Sequence, residues 1–321
     1  MLWSMHRLDF TDHRRELGEN RYVYAVVSRR AGGLSIGINL NPDKVCTWDC
    51  RYCQVDRTTP GKGSLVDLEE LRAELEDVVR LATEREGTTE SKIWQIPPFC
   101  TAAPEHRVVK DITIAGDGEP TTCPQFAAVV QTVLGLRGGF SLDDVRLVLL
   151  TNGALFQQDR VSNALDQWVE NGGEVWGKLD VGSKRAFEEM NWKMGKTRGA
   201  LTTPAGRHPF ARHVDNLEFG ARRWGIGLQC MFSQRQGELW QQSLGQDWAN
   251  VVIRLAQCAG EAGRRLYGVQ VLTLARTPAD PTLVALAEPD LVSIAALIEG
   301  IECPIQVVPS RGSAQPMGVR G

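Results

Sequence analysis

Short apolar runs alternate with helical patterns along most of this chain, and this alternation constrains the fold more than any other feature. Each apolar run has the length of a buried strand, and each stretch that follows it repeats apolar residues at helical spacing. Six runs fit this description: residues 34–40, 111–115, 145–150, 174–181, 226–232 and 266–274. Strands that alternate with helices form parallel sheets covered by helices. The sequence therefore predicts an α/β fold built from six successive strand–helix units.

The length of the chain favours one large domain with short extensions. At 321 residues it lies just above the size at which a single hydrophobic core stops growing. We expect an N-terminal extension over 1–24, one α/β domain over 25–300, and a final strand and tail over 301–321. Residues 86–107 are predicted to form an insertion or surface excursion between the first helix and the second strand, and residues 282–299 the last helix.

The charge balance argues against a strong overall attraction to nucleic acid or to an anionic membrane. The chain has 36 basic and 39 acidic residues and a net charge of −3, which leaves room only for a local basic patch. No stretch approaches the ~20 apolar residues that span a bilayer. The first ten residues also lack the apolar run of a signal peptide. We therefore expect a cytoplasmic protein that does not bind a membrane.

Three of the eight cysteines, Cys46, Cys50 and Cys53, form a C-x3-C-x2-C array just after the first predicted strand. Three thiolates in one loop can bind a soft metal centre. A closed structural zinc site needs four ligands, yet no further Cys or His occurs before Cys100. The array fits a three-cysteine iron–sulfur cluster with one open iron, a zinc site completed from a distant segment, or a chance spacing. The other five cysteines are scattered and fit small buried side chains.

The cysteine spacing, with aromatic Tyr52 just before the last cysteine, resembles the signature of the radical S-adenosylmethionine superfamily. The resemblance implies a [4Fe-4S] cluster on Cys46, Cys50 and Cys53, with the fourth iron chelated by the amino and carboxylate groups of S-adenosylmethionine. It also implies reductive cleavage of that cofactor to a 5′-deoxyadenosyl radical, with electrons from an external donor such as flavodoxin or ferredoxin. The expected fold is a partial (β/α)6 TIM-like barrel, and Tyr52 would flank the adenine.

A second motif follows the second predicted strand, where Gly116, Asp117, Gly118 and Glu119 form a turn. The turn resembles the Gly-Gly-Glu segment of the same superfamily, with Asp117 in place of the second glycine. By that resemblance its glycines would let the backbone approach the methionine moiety. Glu119, or the backbone carbonyls of the turn, would accept hydrogen bonds from the methionine ammonium group. Taken alone, the motif also fits an ordinary Gly-Asp turn.

Polar residues recur at the ends of later strands as well. Thr151 and Asn152 follow the third strand, Asp180 lies near the end of the fourth, and Gln229 lies on the fifth. The resemblance places such residues against the sugar, carboxylate or sulfonium of the cofactor, although Gln229 fits interior packing equally well. Parallel barrels bring ligand-binding groups together at the C-terminal ends of their strands. We therefore expect these residues to share one site.

The substrate is much less constrained. Segments 27–30, 35–39, 118–121 and 269–278 resemble the subgroup that contains wyosine-type tRNA-modifying enzymes and uncharacterised relatives. That resemblance makes tRNA the leading candidate, with a small metabolite or a peptide as alternatives. The basic stretch 193–213 fits either an RNA-binding surface or a solvated loop. A non-catalytic zinc or iron–sulfur module, in which the cysteines serve only structure or redox, is the alternative to an enzyme.

Overall fold

The computed structural model describes residues 17–28, 30–55, 61, 63, 65–84, 90–140, 142–191, 208–236, 242–278, 280–310 and 315–316. Its strands are β1 (Val23–Ser28), β2 (Gly33–Ile38), β3 (Val109–Ile114), β4 (Arg146–Thr151), β5 (Gly173–Lys178), β6 (Gly227–Arg235), β7 (Gly268–Thr273), β8 (Leu283–Ala285), β9 (Ile305–Val308) and β10 (Gln315–Pro316). Its helices are α1 (Leu68–Thr83), α2 (Phe126–Gly139), α3 (Asp159–Glu170), α4 (Lys184–Met190), α5 (Pro209–Trp224), α6 (Gln242–Glu261) and α7 (Glu288–Ala296). None of these helices is long and apolar enough to cross a membrane.

The sheet contains the six predicted parallel strands, β2 to β7, in chain order. Strand β9 continues the parallel part beside β7, while β1 and β10 pair antiparallel at the two ends. In the part of the chain that the structure describes, the order runs from β1 to β10 without closing on itself. The predicted partial (β/α)6 barrel is therefore confirmed, with additional edge strands.

Side-chain alternation explains how the strands divide core from lumen. On β2, Leu34, Ile36 and Ile38 are fully buried in the main core beneath the helices. Ser35 lies between them on the opposite face, in register with Asp111 of β3. Successive residues of a strand point to opposite faces, so an apolar outer face leaves an inner face that can be polar. The inner face is where a site can form.

Local signals define the ends of several elements. Helix α1 begins at an N-cap, Asp67, whose carboxylate accepts hydrogen bonds from the backbone N–H groups of Glu69 and Glu70. Helix α3 is followed by Gly172, whose φ of 79° is the left-handed conformation that glycine adopts most easily after a helix. Both helices were predicted from their apolar spacing.

The structure adds one strand to the predicted units and corrects one helix. Strand β1 pairs along its length with β2, so Val23–Ser28 is part of the sheet. Residues 283–285, predicted as helix, form β8 and pair antiparallel with β6, and α7 begins only at Glu288. In the described part of the predicted insertion or excursion, residues 90–107, short 3-10 turns bury Ile93 and Phe99 in the core.

Candidate functional site

A cavity of about 750 Å³ lies at the C-terminal ends of the parallel strands, beside the loop that follows β2. This volume is within the range of roughly 300–1,000 Å³ that is usual for small-molecule sites. Eleven of the twelve residues selected from the sequence line it: Cys46, Cys50, Tyr52, Cys53, Gly116, Asp117, Gly118, Glu119, Thr151, Asn152 and Gln229. Asp180 is the exception. The wall also contains the basic residues Arg30, Lys44, Lys178 and Arg276.

Aromatic side chains support the cysteine loop between β2 and α1. Trp48 packs edge-on against Phe187 and His213, with ring centroids 5.3 and 4.7 Å away. Cys46 and Cys50 pack against the same apolar cluster. Edge-to-face aromatic contacts add to the free energy of apolar burial, so this cluster stabilises the loop in one conformation.

The three cysteines form no disulfide and are of intermediate burial. Among the described residues, no group of three or more Cys, His, Asp or Glu side chains is arranged closely enough to hold a metal ion. The assignment of an iron–sulfur cluster therefore stays a prediction that rests on the three thiols and the cavity they share.

The Gly-Asp-Gly-Glu turn after β3 lies tightly against the chain that enters the cysteine loop. A Cβ added at Gly116 would lie 2.0 Å from Asn39 Oδ1, and one added at Gly118 would lie 1.9 Å from the Val45 carbonyl oxygen. Asn39 and Asp117 are paired in both directions: Asn39 Nδ2 donates to Asp117 Oδ2 at 2.8 Å, and the Asp117 N–H donates to Asn39 Oδ1 at 3.0 Å. The glycines are thus required for contact between two protein segments.

Glu119 is buried and links the turn after β3 to the turn after β4. Its Oε1 accepts from the hydroxyls of Thr121 and Thr151, both at 2.6 Å, and from the Thr121 N–H at 3.2 Å. Its Oε2 accepts from the Asn152 N–H at 2.7 Å. Burial raises the pKa of this carboxyl, and the four hydrogen bonds act in the opposite direction. Both oxygens are therefore engaged by protein donors.

Asp180 lies behind Tyr52 rather than at the cavity wall. Its carboxylate accepts from Tyr52 Oη at 2.5 Å, from Asn191 Nδ2 at 2.7 Å and from the Met231 N–H at 2.9 Å. Lys178 Nζ lies 5.2 Å from the centroid of the Tyr52 ring. In this position its carboxylate orients Tyr52 beside the cysteines. The contact of Asp180 with the cofactor stays a prediction.

Cys50 lies in an environment that disfavours its thiolate. Burial raises the pKa of its thiol to about 12, and the nearby Asp180 carboxylate and Cys46 add to the effect. Asn191 Nδ2 lies 3.5 Å from Cys50 Sγ and favours the thiolate. Asn191 was not found from the sequence, because it is separated from Cys50 by 141 positions and belongs to no motif.

Gln229 lies between the cavity and a row of amide side chains on the inner strands. It lines the cavity, and its Nε2 lies 3.4 Å from Gln270 Oε1 on the neighbouring strand. Gln270 in turn donates to Gln306 Oε1 at 3.0 Å. The three amides are in register across β6, β7 and β9.

Most of the basic stretch 193–213 lies outside the described residues, which resume at 208.

Comparisons with known proteins give distant similarities. No family model matches the chain. It is 25% identical over 170 residues to a UPF0026 protein of Helicobacter pylori strain 26695, covering 53% of this chain and 46% of that protein. It is 27% identical over 169 residues to the UPF0026 protein MJ1312 of Methanocaldococcus jannaschii, covering 53% of this chain and 43% of that protein. The matches thus span less than half the length of these relatives.

One solved structure is similar over most of the chain, a radical SAM methyltransferase from Sphaerobacter thermophilus. The TM-score is 0.52 at 12% sequence identity, and the similarity covers 86% of this chain and 66% of the other. Identity this low is informative about the fold and not about the reaction. The architecture of this chain is accordingly a partial TIM-like barrel of the kind found in radical S-adenosylmethionine proteins.

Proposed function

We propose that this chain is a radical S-adenosylmethionine enzyme that uses a [4Fe-4S] cluster bound by Cys46, Cys50 and Cys53. The observation that carries the proposal is the shared cavity. The three cysteines, the Gly-Asp-Gly-Glu turn and the polar end of β4 all line it, at the strand ends where parallel barrels bind ligands. These motifs are far apart in the sequence.

The chemistry of the donor set fits such a cluster. Thiolates are the ligands that iron–sulfur clusters require, and three of them leave one iron open for a cofactor. A metal centre must displace the proton that burial keeps on Cys50, so binding is coupled to release of that proton. When bound, the cluster would supply the electron that cleaves S-adenosylmethionine to methionine and a 5′-deoxyadenosyl radical.

The chain's own residues orient the reactants and exclude water. Tyr52 is kept at the cavity wall, next to Cys50 and Cys53, by two contacts. Its hydroxyl donates to Asp180, and the Lys178 ammonium lies over its ring. Trp48 and its aromatic neighbours cover the loop on the other side. Where such cover excludes water from a site, electrostatic interactions strengthen and a radical is protected from side reactions.

The methionine end of the cofactor would lie at the turn 116–119. Because both carboxylate oxygens of Glu119 already accept from protein donors, we assign the ammonium contact to the backbone carbonyls of the turn. Glu119 then acts through Thr151 and Asn152, whose positions it determines. Asn152 also donates to the Thr47 hydroxyl in the cysteine loop at 2.7 Å, which joins the two parts of the site.

The substrate proposed is tRNA, by resemblance to the wyosine-type subgroup, with an external one-electron donor such as flavodoxin or ferredoxin. Eight cysteines that form no disulfide suit a reducing compartment, so we propose a cytoplasmic location. If the basic stretch 193–213 neutralises about four phosphates, log affinity for tRNA falls against log salt with a slope of roughly −3 to −4. Salt-independent or absent tRNA binding would leave a metabolite or a peptide as the substrate.

Anaerobic reconstitution tests the enzyme directly. The wild-type protein is expected to take up iron and sulfide and, after reduction, to release 5′-deoxyadenosine from S-adenosylmethionine. Cys46→Ala should lose iron, whereas the matched control Cys100→Ala, an exposed cysteine outside the cavity wall, should retain it. Stoichiometric zinc with no cleavage would instead support the non-catalytic module.

A further inference from the structure

A buried ion pair lies on the inner face of β2 and β3, away from the cysteine loop. Asp111 is fully buried and accepts from the Ser35 hydroxyl and from Thr113 Oγ1, the latter at 2.7 Å. Arg30, in the hairpin between β1 and β2, donates through Nη2 to Asp111 Oδ2 at 2.7 Å. The pair therefore joins the first hairpin to the floor of the barrel.

Arg30 uses only part of its hydrogen-bonding capacity in this pair. Its side chain is 7% exposed and lines the same cavity as the cysteines. Nη2 bonds to Asp111 and, at 3.1 Å, to Thr113, whereas Nη1 is buried with no hydrogen-bond partner among the described residues. A guanidinium presents its N–H groups as a planar fork that matches a carboxylate or phosphate. A buried cationic donor left without an acceptor is costly, so it points to a ligand.

The charged residues that line the cavity also point to an anionic ligand. Four basic side chains line it, those of Arg30, Lys44, Lys178 and Arg276, against two acidic ones, Asp117 and Glu119. A cavity that carries an excess of one sign attracts ligands of the other. The hairpin that carries Arg30 precedes β2 and the cysteine loop follows it, so the guanidinium enters the lumen from the opposite end of the strand.

We propose that the Arg30 guanidinium binds an oxyanion, a carboxylate or a phosphate, on the molecule that occupies the lumen. Identifying that molecule as the substrate rests on the proposed function, whereas the anion site does not. The bound group would complete the hydrogen bonding of Arg30 and anchor the substrate on the side of the lumen away from the cysteines.

The test compares two double variants, each of which replaces both members of one ion pair by neutral residues. Removing Arg30 alone would leave Asp111 buried and unpaired, so Arg30→Gln is combined with Asp111→Asn. The control combines Arg223→Gln with Asp166→Asn, an ion pair of 2.6 Å between α5 and α3 that does not line the cavity. Each protein is titrated with inorganic phosphate in one arm and acetate in the other, and binding is measured by calorimetry.

The wild type and the control pair are expected to bind one of the two anions with affinities within twofold of each other. The Arg30/Asp111 pair should bind it about 10- to 100-fold more weakly, as expected for the loss of a hydrogen bond to a charged group. The anion that binds distinguishes a carboxylate from a phosphate ligand. Wild-type affinity in the Arg30/Asp111 pair, or binding of neither anion by the wild type, would overturn the proposal.

If the double variant does not fold, the single variant Arg30→Lys is titrated in its place. A lysine keeps the charge opposite Asp111 but lacks the planar fork, so anion affinity should fall by about tenfold, and an unchanged affinity would refute the site. Anion titration and S-adenosylmethionine cleavage are both measured on reconstituted wild-type protein, which separates this inference from the proposed function. Arg30-dependent anion binding in wild-type protein that never cleaves S-adenosylmethionine would retain the anion site and remove the enzyme.

Discussion

Replacing Gly118 with alanine tests whether the turn after β3 and the cysteine loop determine each other's positions. An alanine Cβ would lie 1.9 Å from the Val45 carbonyl oxygen and 2.6 Å from Asn41 Cβ. Ordinary van der Waals contact begins at 3.4 Å, so the carbonyl would have to move by 1.5 Å, the difference between 3.4 and 1.9 Å. Gly118 is not among the residues with positive φ, so the cost is steric and not conformational.

The expected loss of stability follows from two contributions. The Val45 carbonyl accepts the Glu119 N–H at 3.1 Å. Breaking this hydrogen bond costs about 1 kcal/mol, and overpacking adds about 1–3 kcal/mol. The free energy of unfolding of Gly118→Ala should therefore fall by about 2–4 kcal/mol. Because Val45 precedes Cys46, the same displacement should also lower the iron content after reconstitution.

The assay is urea unfolding of cluster-free protein, followed by iron analysis of reconstituted protein. The matched control is Gly135→Ala, in α2, where an added Cβ meets nothing within 4 Å. That change should stabilise the protein by about 0.5–1 kcal/mol, because alanine is the better helix former. Wild-type stability and wild-type iron content in Gly118→Ala would refute the reasoning.

Three further predictions concern pH, redox potential and ligand binding. Burial lowers the pKa of His213 from 6.5 to about 3, so the stability it contributes is fully present above pH 6.5 and lost as the pH falls. The loss between pH 6.5 and 5 should be about 2 kcal/mol in urea unfolding, and an equal pH dependence in His213→Phe would contradict it. Asn191→Leu removes an N–H donor to Cys50 Sγ and should lower the cluster reduction potential in a redox titration; an unchanged potential would exclude that role. S-adenosylmethionine at about 100 times its Kd should stabilise the protein by about 2.7 kcal/mol, and an unshifted Tm would argue against binding.

Strands β1 and β8 were not predicted from the sequence, for one physical reason. Residues 283–285 carry apolar side chains at a spacing that also fits a helix, and their pairing with β6 is a contact between distant segments. Val23–Ser28 became a strand because a hairpin turn containing Gly32, with a φ of 71°, returns the chain along β2. Short apolar runs are ambiguous from periodicity alone.

The sequence by itself determined the parallel strands and the members of the cavity wall. Alternating apolar residues specify which face of a strand is buried, and parallel strands bring their C-terminal ends to one edge, so motifs that follow β2, β3 and β4 had to meet. Both inferences depend on local pattern and on chain direction, which are properties of the sequence.

Only the tertiary structure decided what each polar side chain contacts. Glu119 turned out to bind protein donors, Asp180 to lie behind Tyr52, and Arg30 to reach Asp111 across 81 positions. These contacts depend on strand register and on how loops pack against one another. A pattern of residue types specifies neither, because one side chain can satisfy its hydrogen bonds with many different partners.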